Sequence, residues 1–455
     1  MKSPVIRFIS DSSVKPEFIS DESKQPLYFS QWDLAMLSVL YIQKGLLFRK
    51  PTSMSDENLQ SFLQKLKKSL SLTLVHFYPL AGRLVTIKQQ NPHLYSVYVD
   101  CNNSSGARFL HAAVDLTIED VLSPKDVPLI VQSFFDHDRA INHDGHVRPL
   151  LTIQVTELID GIFIGCSINH ALADGTSYWH FFNTFSEIFN NMEKGSSENS
   201  ISRPPDFKRW FPAGHGPILS LPYTHHDEFT FRIESPVLRE RIFHFSVESL
   251  ANLKSKANKE SKPNVAGKIS SLQALSALMW RCITRARQME DDRKTSCRLA
   301  LNARTRLQPP LSGNYFGNCI QAVPGTTTAG ELLRQSLGLT AGLLHEAVAG
   351  QTDEVLRDWV DAWIRKPAIY NLSVFDPDSV MMGSSPRFDM YGNEFGLGKA
   401  LAVRSGYAHK FDGKVTLYPG REGGGSMDLE VTLLPDFMGR LESDPEFLKA
   451  MCNGN

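Results

Sequence analysis

The sequence predicts an α/β protein with mixed β-sheets flanked by helices, divided into two similar halves. Three observations predict it. Alternating apolar residues mark strands in both halves, apolar residues at three-to-four spacing mark helices between them, and a proline-rich stretch separates the halves near mid-chain. The 455 residues suffice for two or three domains. Hydrophobic residues at 42% and charged residues at 21% supply real cores and exclude disorder throughout.

In the first half, residues 150–169 read as a hairpin. Leu151, Ile153 and Val155 alternate with polar residues, Asp160-Gly161 turns the chain, and Ile162–Ile168 runs back. A helix is expected from about Gly175, because Tyr178, Phe181, Phe182, Phe185, Ile188 and Phe189 fall on one face. From about Asn191 to Asp227 the chain carries Pro204, Pro205, Pro212, Pro217 and Pro222, a density that suits neither a helix interior nor a central strand. Residues 1–195 and 227–455 are therefore expected as two domains, with 196–226 as a crossover between them. A segment near 390–412 is a candidate to pack with the first domain. In the second half, Ser270-Ser271-Leu272-Gln273 has capping-box form ahead of a helical face of Leu272, Leu275, Met279 and Ile283. Helices are also expected at about 329–348 and 353–365, the latter stopping before Pro367, and strands at 415–418 and 427–433.

Composition excludes several function classes. Lys and Arg number 48 against 49 Asp and Glu, so no net positive field invites nucleic acid or an anionic membrane. The N-terminal residues lack the apolar core of a signal peptide, and no run approaches about 18 apolar residues. The six cysteines form no CxxC pair and read as reduced packing residues, so a cytoplasmic location is expected. Cys452 lacks the aliphatic neighbours of a prenylation signal.

The most informative segment is Ser167-Ile168-Asn169-His170-Ala171-Leu172-Ala173-Asp174-Gly175. A strand delivers a histidine at its end, and an Asp-Gly precedes the aromatic helix. A neutral imidazole there suits a general base. The same residues also fit a buried histidine beside a helix-capping aspartate. Other motifs fail. There is no G-x-S-x-G nucleophile elbow. Asn393–Lys399 lacks the first Gly and the final Ser/Thr of a phosphate loop, and Leu401 stands where a dinucleotide fingerprint needs its third Gly. His143-Asp144-Gly145-His146 and His225-His226 show no third ligand nearby, so no metal is expected.

The segment His170–Gly175 resembles the HxxxDG motif of the plant BAHD acyl-CoA-dependent acyltransferases. Further segments resemble that family in the same order: Phe77–Leu84, Ser270–Arg287 with Trp280 and Arg281, Asn302-Ala303-Arg304-Thr305-Arg306, and Tyr315-Phe316-Gly317-Asn318. Glu394-Phe395-Gly396-Leu397-Gly398-Lys399 stands in the place of its DFGWGK motif. The ordered set spans nearly the whole chain.

The resemblance implies two chloramphenicol-acetyltransferase-like domains joined by a long crossover, with a channel between them and His170 midway. It implies direct acyl transfer from acyl-CoA, a co-substrate rather than a permanently bound cofactor, to a small-molecule alcohol or amine, by a monomer. Asp174 is then a structural residue paired with an arginine of the NxRxR block, most simply Arg304, and supports the loop that orients His170. Lys268, Ser270 and Ser271 are the expected CoA contacts, although a solvated lysine and a plain helix cap remain open. Tyr41–Phe48 and Ser384–Phe388 are positional candidates for the acceptor pocket. Glu394, Phe395, Gly396 and Gly398 form a structural motif that departs from the family in Glu394 for Asp and Leu397 for Trp; Glu394 could keep an ion pair in shifted geometry. A lyase or intramolecular acyl shift in the same channel, and a non-catalytic ligand-binding protein, stay open as alternatives.

Overall fold

The computed structural model describes residues 4–102, 105–194, 201–232, 236–371, 375–408 and 410–452. The expected boundary at 195/196 and the glycine-serine start of the proline-rich stretch lie outside these residues, as does the side chain of Cys452.

The first half runs β1 (Arg7–Val14), β2 (Leu27–Tyr28), α1 (Gln31–Leu34), β3 (Ile42–Arg49), α2 (Asp56–His76), β4 (Arg83–Gln89), β5 (Leu94–Asp100), β6 (Ala107–Ala113), α3 (Ile118–Leu122), β7 (Leu151–Glu157), β8 (Gly161–Ile168) and α4 (Gly175–Glu193). The second half runs β9 (Arg239–Phe245), α5 (Val247–Lys259), α6 (Ser271–Arg287), β10 (Lys294–Asn302), β11 (Ile320–Thr328), α7 (Ala329–Arg334), α8 (Leu337–Ala349), α9 (Asp353–Arg365), β12 (Val380–Gly383), β13 (Ala402–Ser405), β14 (Lys414–Pro419), β15 (Met427–Leu433), α10 (Pro435–Leu441) and α11 (Pro445–Cys452).

Two six-stranded mixed sheets organise these elements, in the orders β1-β6-β7-β8-β3-β13 and β11-β10-β12-β14-β15-β9, beside a small β2-β5-β4 sheet. β6 and β7 pair in parallel, as do β10 with β12 and β12 with β14. Each of the two large sheets anchors its own buried cluster. β13 crosses over from the second half and pairs antiparallel with β3, Val403 opposite Leu46, so the first sheet is completed by distant sequence. Among the described residues no helix is long and apolar enough to cross a membrane.

The expected hairpin is present as β7 and β8, and the aromatic helix as α4. β8 is buried along its whole length, which fits a central strand of near-continuous apolar residues. Tyr178, Phe181, Phe182, Phe185 and Phe189 are each no more than 1% exposed and turn one face of α4 into the first core. α6 begins where its capping box places it, with the Ser270 hydroxyl accepting from the Gln273 N–H and the Gln273 side chain accepting from the Ser270 N–H.

One expectation is corrected. The helix foreseen over 329–348 is two helices, α7 and α8, broken at Gln335-Ser336. Gln335 is extended and the Ser336 hydroxyl caps α8 by accepting from the Leu339 N–H. The cause is distant in sequence: Arg281 of α6 donates to the carbonyls of both Leu332 and Gln335. A guanidinium that takes these carbonyls satisfies groups otherwise left over at the end of α7.

Candidate active site

β8 sits between β7 and β3, and Ile168 lies opposite both Leu151 and Ile42. Beyond it the chain folds into a tight loop. The Asn169 N–H donates to the Leu150 carbonyl, while the Asn169 side chain accepts from the Ala171 N–H. His170 is thereby presented at the strand end, half-buried. Its backbone is held on both sides: its N–H donates to the Asn142 side-chain oxygen at 2.7 Å, and its carbonyl accepts from the Asn318 amide at 2.7 Å.

Asp174 ends the loop as the cap of α4, its carboxylate accepting from the Ser177 N–H at 3.1 Å. The same carboxylate meets Arg304 in a two-pronged ion pair at 2.6 and 2.9 Å and accepts from the Cys319 N–H at 3.1 Å. Both side chains are almost fully buried, at 0% and 4% exposure. A carboxylate with all its strong contacts on Arg304 and backbone N–H groups is committed to structure. Arg304 also donates to the Gly317 carbonyl and the Ser177 hydroxyl, which fixes the start of α4 against the 315–319 segment.

Further buried residues complete the frame, and sequence reasoning did not find them. Asp33 of α1 accepts from both the backbone N–H and the side-chain amide of Asn318, at 2.9 and 3.0 Å. Arg209, from the crossover, donates to Asp33 at 2.7 Å. The Tyr315 ring lies near both guanidiniums, 5.7 Å from that of Arg209 and 5.2 Å from that of Arg304. The capping-box pattern Ser30-x-x-Asp33 could have placed Asp33 at a helix start, but nothing local announces its partner Asn318.

The electrostatics follow from burial and these partners. Burial pushes the His170 imidazole below its ordinary value; hydrogen bonding with backbone groups and Asn318, and the charge of Asp174, oppose this without cancelling it. Neutral imidazole therefore dominates at pH 7. For Asp174, burial acts upward, but the Arg304 charge and the donated hydrogen bonds outweigh it and hold the carboxyl below the usual range. Cys319, next to this pair, is pushed up to about 12 by burial, so it offers no thiolate nucleophile.

The structure brings His170, Asp174 and Arg304 together. It does not bring Lys268, Ser270 or Ser271 to them: these stand at the N-terminus of α6, with Lys268 exposed and the Ser270 hydroxyl engaged in the cap. Phe388 does approach the site; a Cβ added to Gly175 would meet its ring at 3.2 Å. Tyr41 is buried against His137, with ring centroids 4.8 Å apart, and leads into β3.

The Glu394–Lys399 segment is placed by Phe395, which is buried against Phe48, Phe182, Phe185 and Phe189 with ring centroids 5.0–6.4 Å apart. Phe395, Gly396 and Gly398 all have positive φ, so the turn uses its glycines where a Cβ is unfavourable. Leu397 packs, partly buried, against the same core. Glu394 is exposed and among the described residues makes no ion pair, which corrects the expectation that its carboxylate could keep one. A solvated carboxylate has little to gain from a fixed partner.

The expectation that His225-His226 has no third ligand nearby is also corrected. Asp227, the next residue, brings its carboxylate to His225 and His226, and ligand atoms of all three lie within 4.8 Å of one another.

The chain matches the family described as "Transferase family" over residues 5–448. It is 38% identical over 450 residues to an uncharacterized acetyltransferase of Arabidopsis thaliana, covering 98% of this chain and 99% of that protein. The BAHD acyltransferase DCR of Arabidopsis thaliana is 33% identical over 470 residues, covering 99% of this chain and 96% of DCR. Among solved structures, vinorine synthase has a TM-score of 0.75 at 21% identity and 98% coverage of both chains. TRI101 of F. graminearum, complexed with coenzyme A and T-2 mycotoxin, has a TM-score of 0.74 at 17% identity, covering 93% of this chain and 98% of that one. At these identities the two structures establish the two-domain fold.

Proposed function

The chain belongs to the Transferase family, that of the plant BAHD acyltransferases, and on that premise we propose that it moves an acyl group from acyl-CoA to a hydroxyl or amine of a plant metabolite. The observation that carries this reading is the placement of His170 at the end of β8, fixed through its backbone by Asn142 and Asn318, while Asp174 is turned into Arg304.

His170 acts as general base. It takes the proton of the acceptor as the acceptor oxygen or nitrogen bonds to the thioester carbonyl carbon, giving a tetrahedral oxyanion. Collapse re-forms the carbonyl and breaks the carbon–sulfur bond, and the imidazolium returns its proton to the departing CoA thiolate. No covalent enzyme intermediate is needed, in keeping with the high Cys319 pKa. Asp174 is a positioning residue: its charge is spent on Arg304, so it holds the loop rather than sharing the proton. Lys268 and the N-terminus of α6, with Ser270 and Ser271, are the proposed CoA contacts; a helix N-terminus favours an anion and Lys268 adds a positive charge beside it.

The test incubates the protein with a panel of acyl-CoAs spanning acetyl, benzoyl, hydroxycinnamoyl and fatty acyl groups, with plant metabolite extract as acceptor, and follows free CoA thiol. Acceptor-dependent thiol release with at least one donor is expected. Silence across the panel, with acyl-CoA bound, overturns the transferase reading in favour of ligand binding.

A further inference from the structure

Two histidine pairs far apart in sequence meet in space. His143 and His146 belong to a single helical turn, Asn142–His146, and His225 and His226 open another, His226–Glu228, in the crossover. Their rings form a continuous run: centroids lie 4.3 Å apart for His143 and His146, 4.9 Å for His143 and His226, and 4.1 Å for His225 and His226. Neighbouring contacts lock the two turns together. Phe229 packs edge-on to His143 at 5.7 Å, and Arg232 forms a two-pronged ion pair with Asp144 at 2.5 and 3.1 Å.

At the outer end of this run, the Asp227 carboxylate faces two imidazole nitrogens at once. His225 Nδ1 stands 3.0 Å from one carboxylate oxygen and His226 Nε2 stands 3.4 Å from the other. Ligands about 2.0–2.2 Å from a tetrahedral ion stand about 3.3–3.6 Å from one another. The three ligand atoms here lie within 4.8 Å, and closing around a cation requires the exposed His225 ring to turn out of its 35° overlap with His226 and its Nδ1 to leave the Asp227 N–H. We propose that His225, His226 and Asp227 bind one divalent transition-metal ion of the zinc class, with solvent completing the coordination. Two imidazoles and one carboxylate select late first-row ions over magnesium or calcium, which prefer all-oxygen sets. His143 is a supporting residue rather than a ligand. Its ring lies nearly parallel to that of His226, at 17°, and neither of its nitrogens belongs to the group of ligand atoms that lie within 4.8 Å of one another. The stack instead fixes the orientation of His226, as partners behind a ligating histidine do.

The site lies against the turn that begins at Asn142, the residue whose side chain holds the His170 N–H, through the stack of His226 on His143. It stands independently of the acyl-transfer reading, because its ligands take no part in that reaction.

The test uses tag-free full-length protein stripped with a chelator. Zinc alone is titrated against a chromophoric competitor, and thermal unfolding is recorded with and without zinc. One equivalent is expected to bind and to raise the unfolding midpoint. His225→Ala and His226→Ala are each expected to weaken zinc binding by at least about tenfold, and Asp227→Asn by a similar factor. Asp144→Asn, which disturbs the Arg232 pair but no ligand, is expected to keep zinc binding. Circular dichroism of the stripped variants separates lost binding from lost folding; if a single variant fails to fold, His225→Gln replaces it. Stoichiometric zinc binding that persists in a His225→Ala/His226→Ala double variant overturns the proposal. So does the absence of binding by the wild type at about 100 µM zinc, since a site weaker than that yields less than about 5.5 kcal/mol.

Discussion

Replacing Asp174 by Asn probes the buried pair beside the loop that carries His170 with almost no change of shape. The wild-type carboxylate accepts two hydrogen bonds from Arg304, at 2.6 and 2.9 Å, and two more from the Ser177 and Cys319 backbone N–H groups at 3.1 Å. The amide keeps one acceptor oxygen, turns an NH2 toward donors, and leaves the Arg304 cation at 4% exposure without a counter-charge. Breaking a buried pair from one side costs about 3–5 kcal/mol, because the remaining charge cannot reach water. At 455 residues this lowers the unfolding midpoint by about 3–5 °C. Loosening the loop also misplaces His170, and kcat should fall about 10–100-fold with a smaller change in KM. The assay pairs thermal unfolding by circular dichroism with steady-state thiol release, and adds Arg304→Gln and the double variant. If the two charges act on each other, the double variant costs at least about 2 kcal/mol less than the two single costs combined. An Asp174→Asn protein that melts within about 1 °C of wild type, turns over normally and shows additive costs refutes the reasoning.

Other consequences can be checked alongside. Because burial lowers the His170 pKa, the acid limb of kcat/KM should have its midpoint below the ordinary 6.5; a midpoint at or above that value contradicts the assigned environment. His180 is buried and its pKa is lowered to about 4 by burial, against a hydrogen bond to the Arg203 carbonyl that acts upward. A depressed folded pKa means stability is fully present above 6.5 and is lost as pH falls toward 4, by up to about 3 kcal/mol, and His180→Gln should flatten that part of the stability–pH curve in denaturant titrations. Phe395→Ala should cost about 3–5 kcal/mol in urea unfolding, since it empties a site lined by four phenylalanines. Asn142→Ala removes the acceptor for the His170 N–H and should lower kcat by about tenfold or more while leaving acyl-CoA affinity near wild type in equilibrium binding.

What could be read from sequence was local. The aromatic face of α4, the Asp160-Gly161 hairpin and the Ser270–Gln273 capping box each hold their cause within a few residues, and each element formed where its pattern placed it. The same holds for His170 at its strand end. What escaped depends on partners distant in sequence. The break between α7 and α8 is made by Arg281, and the frame around His170 joins Asp33, Asn142, Arg209 and Asn318 from four separate segments. A lone asparagine or aspartate carries no periodicity, so its role emerges only when the fold delivers its partner. The meeting of His143 with His226 is of the same kind, for the crossover brings them together.

The most direct test of the central claim compares His170→Ala with wild type in acyl transfer from whichever acyl-CoA the panel identifies, at saturating donor and acceptor. General-base catalysis predicts a rate lowered by about 10²–10⁴-fold, with acyl-CoA still bound and the fold intact. A His170→Ala protein that forms product at the wild-type rate contradicts the account.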